Sequence, residues 1–440
     1  MDHWRPFNAI PPISSPASIQ PVRQPGVLAR RRCVAIAGQA LVAGCSVLPR
    51  LRAVPPEDSA NVKILGLSDI RYWGDESTPL VIEDAKSSYY RELSEWRNTG
   101  HTGPLPPSAY LTISGGAENG AFGAGFLNGW TAAGTRPSFK LVTGISTGAL
   151  IAPFAFLGPS RDPALREIYT TISAKNVISP RNYVSALLED ALATTGPLRR
   201  MMARYFDQSM LDDIAAEHER GRLLLIGTTD LDQGRPVIWN FGKLAASGAP
   251  GSLALMQDIL IASASIPGAF PPVMIDVEVN GKRYQEMHAD GGASTQVFLY
   301  PPSLQLNRRS LASRIVRARQ LYIIRNAKLE PDWQEVRRRT LPIIRRALGS
   351  LIQTQGIGDL YRIYVAANRD KIDFNLASIP GGFTEELKEP FERGYMNDLF
   401  KIGYDLAAKG YVWSKYPPGY EELGAGPTLM SGFVAGKPPK

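Results

Sequence analysis

At 440 residues, with 44% hydrophobic and 20% charged side chains, the chain is long enough for one large or two modest globular domains. Part of its formal net charge of +8 lies in the first 44 residues, and no basic stretch is interleaved with aromatic residues, so the sequence does not support a nucleic-acid partner. The two cysteines, Cys33 and Cys45, are both N-terminal, which excludes a disulfide framework or a thiolate metal site in the rest of the chain. We expect neither a metal nor a cofactor.

The N-terminal segment has the layout of a secretory signal, which we predict to span residues 1–44. Arg30–Arg32 form a basic cluster, and the uncharged run Cys33–Gly44 that follows is too short to span a bilayer. Leu41–Ser46 (LVAGCS) resembles the lipobox of bacterial lipoproteins. This resemblance implies a lipidated Cys45 and a place on an envelope membrane, at the outer membrane or the periplasmic face. The alternative is an apolar segment whose cysteine is incidental.

Residues 45–108 are expected to form a tether and an approach to the main fold. Within them, Val62–Leu67 predicts a strand. Glu83–Trp96 has helical spacing, which would place Tyr90, Leu93 and Trp96 on one apolar face. A turn-rich stretch then marks a boundary, and we predict the main domain over residues 109–305.

Two short apolar runs, Tyr110–Ile113 and Phe139–Val142, each lead into glycine and then a helix-like segment, as buried strands of a parallel sheet do. The second is followed by GISTG at residues 144–148, at the start of the predicted helix Thr147–Leu157. A serine on such a sharp turn projects its hydroxyl at the carboxyl edge of the sheet, near a helix N-terminus that favours developing negative charge. Ser146 is therefore the candidate nucleophile. The alternative is that it only caps the helix.

The first strand ends in the glycine-rich run SGGAENG at residues 114–120. Acyl transfer needs backbone N–H groups aimed at an oxyanion, and a run without bulky side chains beside the nucleophile can supply them. A phosphate loop is the competing interpretation. However, no Gly-Lys-Ser/Thr follows, and Asn128 stands where a G-x-G-x-x-G pattern needs glycine. We therefore interpret this run as an oxyanion loop.

Further along the chain, helices and strands continue to alternate. The predicted helices are Asp162–Thr171, Pro180–Met202, Leu211–Glu219 and Asp258–Ser265, and the predicted strands are Arg222–Thr228, Pro236–Phe241 and Arg283–His288. The last strand stops at Asp290-Gly291-Gly292. Most Asp-Gly pairs are only turns, but the serine turn and the glycine loop upstream make Asp290 the second catalytic candidate.

A serine nucleophile needs a base, and histidine is the usual one. No histidine follows Asp290 in the sequence, which disfavours a triad in the order Ser, Asp, His. We interpret His288 as a core or supporting residue and His218 as part of a solvated helix. The residues therefore favour a dyad of Ser146 and Asp290.

Taken together, the motifs at 114–120, 144–148 and 290–292 resemble those of patatin-like phospholipases, and the resemblance covers roughly residues 109–302. It implies an α/β fold, a three-layer α/β/α sandwich with a mostly parallel central sheet and a helical C-terminal extension. It also implies hydrolysis of fatty-acyl esters of membrane lipids without a metal. The site residues it implies are catalytic Ser146 and Asp290, oxyanion donors Gly115, Gly116 and Ala117, and motif residues Gly120, Gly144, Gly148, Gly291 and Gly292.

This sequence departs from the family pattern at two positions. Ala117 stands where a third glycine is usual, but it still offers its N–H to an oxyanion. Asn119 stands where a basic residue is frequent, which leaves the head-group or acyl preference open.

Residues 306–440 are predicted as a mainly helical extension. Arg319–Arg325 predicts one more strand, at the sheet edge, and helices are predicted at Trp333–Thr354, Gly358–Asn368 and Glu385–Lys409. Five arginines between positions 337 and 346 form a basic stretch. It is either a solvated face or a contact for anionic lipid head groups.

Two other functions remain open at this point. One is a non-catalytic envelope lipoprotein that uses the fold as a scaffold, and the other is an acyltransferase that passes the acyl group to an alcohol instead of water. The expected partners are a phospholipid or other acyl-lipid substrate and a membrane surface reached through the lipidated Cys45, with no nucleic acid. The oligomeric state is left open.

Overall fold

The computed structural model describes residues 48–76, 79–177, 179–180, 190–301, 304–313, 315–331 and 333–420, with residues 180, 341 and 345 described by their backbone alone. The predicted signal segment and the predicted lipidation site Cys45 lie outside the described residues. Within the described part, no helix combines the length and the apolar character that a membrane crossing requires.

The main elements alternate along the chain as expected for an α/β protein. The described strands are β1 (Arg71–Trp73), β2 (Ser108–Ile113), β3 (Phe139–Ile145), β4 (Ser179–Pro180), β5 (Ala193–Thr194), β6 (Leu223–Asp230), β7 (Arg235–Asn240), β8 (Val273–Val279), β9 (Lys282–Asp290), β10 (Arg319–Arg325) and β11 (Asp373–Ser378). The described α-helices are α1 (Pro79–Asn98), α2 (Gly120–Ala132), α3 (Thr147–Leu157), α4 (Asp162–Thr171), α5 (Ala174–Val177), α6 (Gly196–Tyr205), α7 (Gln208–Glu219), α8 (Phe241–Ala246), α9 (Ser252–Ser263), α10 (Leu306–Ala312), α11 (Thr340–Arg369) and α12 (Arg393–Ala408).

The centre of the main sheet is parallel. β6, β3, β2, β10 and β11 lie side by side in that order and all run in the same direction. β7 and then β1 continue the sheet beyond β6 in antiparallel pairing. β9 pairs antiparallel with the last residues of β6 and also with β8. The predicted central sheet, mostly parallel, is confirmed.

Both faces of the sheet are covered by helices. Along β2, Leu111 and Ile113 face one hydrophobic core, whereas Tyr110 faces the other, because successive side chains of a strand point to opposite faces. The first core includes side chains of α2, α3, α9 and α12, and the second includes side chains of α1 and α11. The result is the predicted sandwich of three layers.

The C-terminal region is more closely integrated with the sheet than predicted. β10 does not lie at the edge, because β11 pairs along its outer side. We did not predict β11, whose short sequence DFNLAS contains polar residues that hide the strand pattern. The two predicted helices form one continuous helix, α11. The helix continues through Gly356. A Cβ at this position would lie 2.3 Å from the guanidinium of Arg325, so the glycine makes room for that side chain.

Two expectations for the approach segment are wrong. Val62–Leu67 is not a strand: Ile64 and Leu67 hydrogen-bond to each other around a tight turn, whose two middle residues have positive φ. Of the three side chains expected on one apolar face of α1, Tyr90 is 63% exposed, whereas Leu93 and Trp96 are half-buried. The buried face of α1 instead carries Val81, Asp84 and Ser88, and Asp84 is stabilised there by Lys243 at 2.6 Å. The covered face of α1 thus contains a buried ion pair.

The expectation that His218 lies on a solvated helix face is also wrong. Its side chain is 4% exposed and lies 3.1 Å from the guanidinium of Arg91. Burial and the Arg91 charge lower the pKa of His218 to about 4, so the imidazole is neutral at pH 7. Of the predicted helix Pro180–Met202, the described part contains a helix only from Gly196, where α6 begins and continues to Tyr205.

Candidate active site

Ser146 occupies the sharp turn between β3 and α3. Its backbone has φ 55° and ψ −127°, a strained conformation for a residue with a side chain. Two flanking glycines make this turn possible. A Cβ on Gly144 would lie 2.3 Å from the carbonyl oxygen of Gly148, and one on Gly148 would lie 2.3 Å from that of Ile113. The sharp turn predicted at Ser146 is therefore present.

A buried serine that we did not predict supports this turn from behind. The Ser146 amide donates to Ser263 Oγ at 3.0 Å, and the Ser263 hydroxyl donates to the carbonyl of Gly227 at 2.7 Å. Ser263 ends α9 and is fully buried, whereas Gly227 belongs to β6. The turn is thus fixed to the neighbouring strand through one hydroxyl group.

The pairing of β9 with β6 places Asp290 beside Ser146. β3 pairs with β6 as far as Ile145 and Gly227. From the next residue of β6 onward the partner is β9, and Thr228 pairs with Asp290. The Ser146 side chain lies close enough to the Asp290 carboxylate to lower the pKa of that group. The structure therefore brings together two residues that are distant in the sequence.

Asp290 is held in a buried position. Its side chain accepts the amide of Gly292 at 2.7 Å, and its own amide donates to the carbonyl of Ser265 at 2.9 Å. Asp290 is 4% exposed and Ser146 is 6% exposed. Burial raises the pKa of Asp290 to about 7, although the hydrogen bonds from Ser146 and Gly292 oppose the rise. A carboxylate with such a pKa can both accept and return a proton near neutral pH.

The predicted oxyanion loop lies next to this pair. Gly116 and Ala117 have φ values of 155° and 48°. Their amides have no hydrogen-bond partner among the described residues. The amide of Gly115 donates to the carbonyl of Gln296 at 3.1 Å and is therefore already used. Our prediction of Gly115 as a donor to the oxyanion is corrected on this ground, which leaves Gly116 and Ala117.

Asn326, which we did not predict as a site residue, holds the glycine-rich loop in place through hydrogen bonds. It follows β10 and is fully buried. Its backbone amide and its side-chain amide donate to Ser114 Oγ and to the Ser114 carbonyl, both at 2.9 Å, and its Oδ1 accepts the amide of Gly123 at 3.0 Å. A Cβ on Gly116 would lie 2.4 Å from the Asn326 carbonyl oxygen. The sequence feature that could have identified Asn326 is a polar residue directly after a largely apolar strand.

Gln296 joins the motifs to α11. Its carbonyl accepts the amide of Gly115, and its side-chain amide donates to the carbonyl of Gly292 at 2.7 Å. Its backbone amide donates to the buried Asp359 carboxylate of α11 at 2.7 Å, and its side-chain amide lies 3.3 Å from Gln355 Oε1. The long helix is thus bonded directly to the site.

The other predicted motif positions have packing roles. Gly120 begins α2 against α3, where a Cβ would lie 2.2 Å from Thr147 Oγ1. Gly291 begins a single 3-10 turn that continues through Gly292. At the position where a basic residue is frequent, Asn119 Oδ1 accepts the hydroxyl of Tyr395 at 2.8 Å.

A second polar cluster lies on β6 and β9, two positions from Asp290. Asp230, Glu286 and His288 are buried, and one possible metal-ligand atom of each lies within 4.8 Å of the others. However, both Glu286 oxygens bind the guanidinium of Arg71, and His288 Nε2 lies 3.1 Å from Glu286. Burial raises the pKa of Glu286, but Arg71 and His288 outweigh it and lower the value to about 2. A cation here would have to displace Arg71, so the cluster fits an ion-pair network better. His288 is a core residue, as predicted.

Comparisons with known proteins agree with the motifs. Residues 111–300 match the family model described as patatin-like phospholipase. No curated protein sequence matches the chain. Among solved structures, the chain is similar to the crystal structure of VipD from Legionella pneumophila, with 12% sequence identity and a TM-score of 0.32. That alignment covers 69% of this chain and 66% of VipD, just under two thirds of its length.

Proposed function

We propose, because residues 111–300 form a patatin-like phospholipase domain, that the chain is a serine acyl hydrolase acting on fatty-acyl esters of membrane lipids. The observation that carries this proposal is the strand register that places Ser146, on a strained turn, beside the buried carboxylate of Asp290. A nucleophile beside a buried base, next to amides without partners, is the arrangement that acyl transfer needs.

In the proposed first half-reaction, ionised Asp290 accepts the proton of Ser146 while Oγ attacks the acyl carbonyl carbon. The negative charge moves to the carbonyl oxygen, where the amides of Gly116 and Ala117 stabilise it. The ester bond to the lipid alcohol then breaks, and Asp290 returns its proton to that leaving alcohol. The product of this half-reaction is an acyl ester on Ser146.

In the second half-reaction, Asp290 accepts a proton from water, which attacks the acyl-enzyme through a second oxyanion. Collapse of this intermediate releases the fatty acid, and the proton returns to Ser146. Asp290 with a pKa of about 7 suits both roles, because it is a stronger base than an ordinary carboxylate and still ionises near neutral pH.

The proposed location is a bacterial envelope membrane. The support for it is the lipobox-like run LVAGCS, which would place a diacylglyceryl group on Cys45. Such an anchor would hold the domain close to its lipid substrate. The stretch expected to be a tether is bonded to β9 from Arg50 onward, so the expectation of a free tether is wrong for its described part.

A fluorophosphonate probe and defined lipid substrates test the proposal. We expect the wild type to be labelled at Ser146 and to release fatty acid, whereas Ser146→Ala loses both activities at an unchanged melting temperature. Ser252→Ala is the matched control, since Ser252 is also buried but bonds only near the start of α9, and it should retain labelling. Hydrolysis by Ser146→Ala at the wild-type rate would refute the assignment.

The same experiment separates the alternatives. A folded wild-type protein that resists the probe and releases no fatty acid would indicate a scaffold. Labelling accompanied by transfer of the acyl group to an added alcohol, detected by product identification, would indicate an acyltransferase.

A further inference from the structure

The N-terminal half of α11, with the segment before it, exposes a set of apolar side chains. In that segment Trp333 is 86% exposed. On the helix, Ile344, Leu348 and Leu351 are 49%, 52% and 66% exposed, and Ile343 and Ile352 are nearly half exposed. Apolar residues at i, i+4 and i+7 lie on one face of a helix. A soluble monomer rarely exposes so many large apolar residues in one place, and such patches mark interaction surfaces.

Arginines border this apolar face. Arg337, Arg338 and Arg339 lie between Trp333 and the start of α11, are exposed, and form no ion pair with a described residue. Between positions 333 and 346 the sequence has five arginines and a single acidic residue, Glu335. An apolar helical face bordered by arginine is typical of helices that lie in the interface of an anionic membrane.

The position of α11 turns this surface toward the candidate active site. Near its middle, Gln355 and Asp359 bond to Gln296, which also bonds to the glycine loop. Its C-terminal end reaches the opposite edge of the sheet, where Asp370 accepts the hydroxyl of Tyr300 at 2.7 Å before β11 begins. At 1.5 Å per residue, the exposed half therefore projects about 20 Å beyond Gln355, past the sheet edge that carries Ser146.

We infer that Trp333, Arg337–Arg339 and the face Ile343–Ile352 form a docking surface for anionic phospholipid membranes, with the helix lying in the head-group region. The inference rests on the proposed hydrolase function, since it brings the site edge to the substrate. The face meets the site directly: Gln355, at i+11 from Ile344, continues the same face and contacts Gln296. The positive charge of the arginines favours a negatively charged lipid surface as the partner, because a second copy of this chain would itself be basic.

Vesicle binding tests this surface independently of turnover. The full chain carrying Cys45→Ser and Ser146→Ala would be used, so that neither an acyl anchor nor lipid hydrolysis contributes. We expect it to bind vesicles that contain phosphatidylglycerol at least 10-fold more tightly than phosphatidylcholine vesicles, with the preference lost at high salt. Equal binding to both compositions would overturn the inference.

Substitutions then locate the surface. In that background Leu351→Glu should weaken binding about 10-fold or more, and combined Arg338→Glu and Arg339→Glu should weaken binding to anionic vesicles at least about 20-fold. Val365→Glu is the matched control, because Val365 is 66% exposed on the same helix but beyond the site, and it should bind like its parent. Circular dichroism checks folding, and Leu351→Ser provides a milder second variant.

Two further readouts separate the possible outcomes. With Ser146 intact, Leu351→Glu should lower the rate on vesicle lipid about 10-fold relative to the rate on a monomeric short-chain ester. Failure of the proposed function would appear as absent hydrolysis with vesicle binding still sensitive to Leu351. Light scattering that shows a dimer, dissociated by Leu351→Glu, with unchanged vesicle binding would identify a contact between copies and overturn the inference.

Discussion

Replacing Asp290 with asparagine should abolish ester hydrolysis and, above pH 7, stabilise the folded protein. Asparagine keeps the size of the side chain and an oxygen that can accept the Gly292 amide. It removes the negative charge, which burial disfavours and which the proposed reaction needs as its base. Activity and stability should therefore change in opposite directions at a single position.

The magnitude follows from the pKa of Asp290, which is raised from 3.8 to about 7 in the folded protein. The folded state thus holds a proton that the unfolded chain has released. The contribution to stability is fully present below pH 3.8 and is lost as the pH rises through 7. At 1.36 kcal/mol per pKa unit the total loss is about 4 kcal/mol, of which about 3 kcal/mol accumulates between pH 5 and pH 8.5.

Urea unfolding of the wild type and Asp290→Asn at these two pH values measures the effect. All other titrating groups are common to both proteins, so the change in their difference reports Asp290. We expect the advantage of the variant in free energy of unfolding to grow by about 3 kcal/mol from pH 5 to pH 8.5. Asp276→Asn, on an exposed position of β8, should follow the wild type. A difference that changes by less than about 1 kcal/mol would refute the reasoning that Asp290 ionises while buried.

Two more predictions concern the rate. Because Asp290 must be ionised to accept the Ser146 proton, kcat/KM on a soluble ester should rise with pH to a plateau, with a midpoint near pH 7; a flat profile from pH 5 to pH 9 would contradict this role. Asn326→Ala should lower kcat about 100-fold with little change in KM, because Asn326 holds the loop that carries the proposed oxyanion amides. The same substitution should lower the free energy of unfolding by about 1–3 kcal/mol, because the buried Ser114 carbonyl loses its donor. Steady-state kinetics and urea unfolding measure the two effects. An unchanged kcat would show that the hydrogen bonds of Asn326 do not contribute to catalysis.

Much of the site was predictable because each motif reflects a local requirement of the backbone. Gly144 and Gly148 allow the close contacts around Ser146, and the strands before the first two motifs, β2 and β3, are largely apolar because they are buried between two helical layers. The bounds of α3 and β10 match their predictions, since periodicity and a flanking turn determine them locally.

The supporting residues were not predictable, because each depends on a contact between distant parts of the chain. Asn326 looks like an ordinary residue after a strand until β10 lies beside β2 and carries it to the glycine loop. In the same way, the use of the Gly115 amide by Gln296 follows from the course of the chain after β9. Hydrogen bonds between segments leave no period in the sequence.

The sequence by itself determined the nucleophile turn, the glycine loop and the Asp-Gly-Gly turn, since small residues at those positions satisfy local steric demands. Only the tertiary structure decided that they meet. β9 pairs with β6 where β3 stops, and this register places Asp290 next to Ser146. It also decided that the C-terminal half of α11 packs against the sheet, where its apolar side chains join the second hydrophobic core, while the apolar side chains of its N-terminal half are exposed.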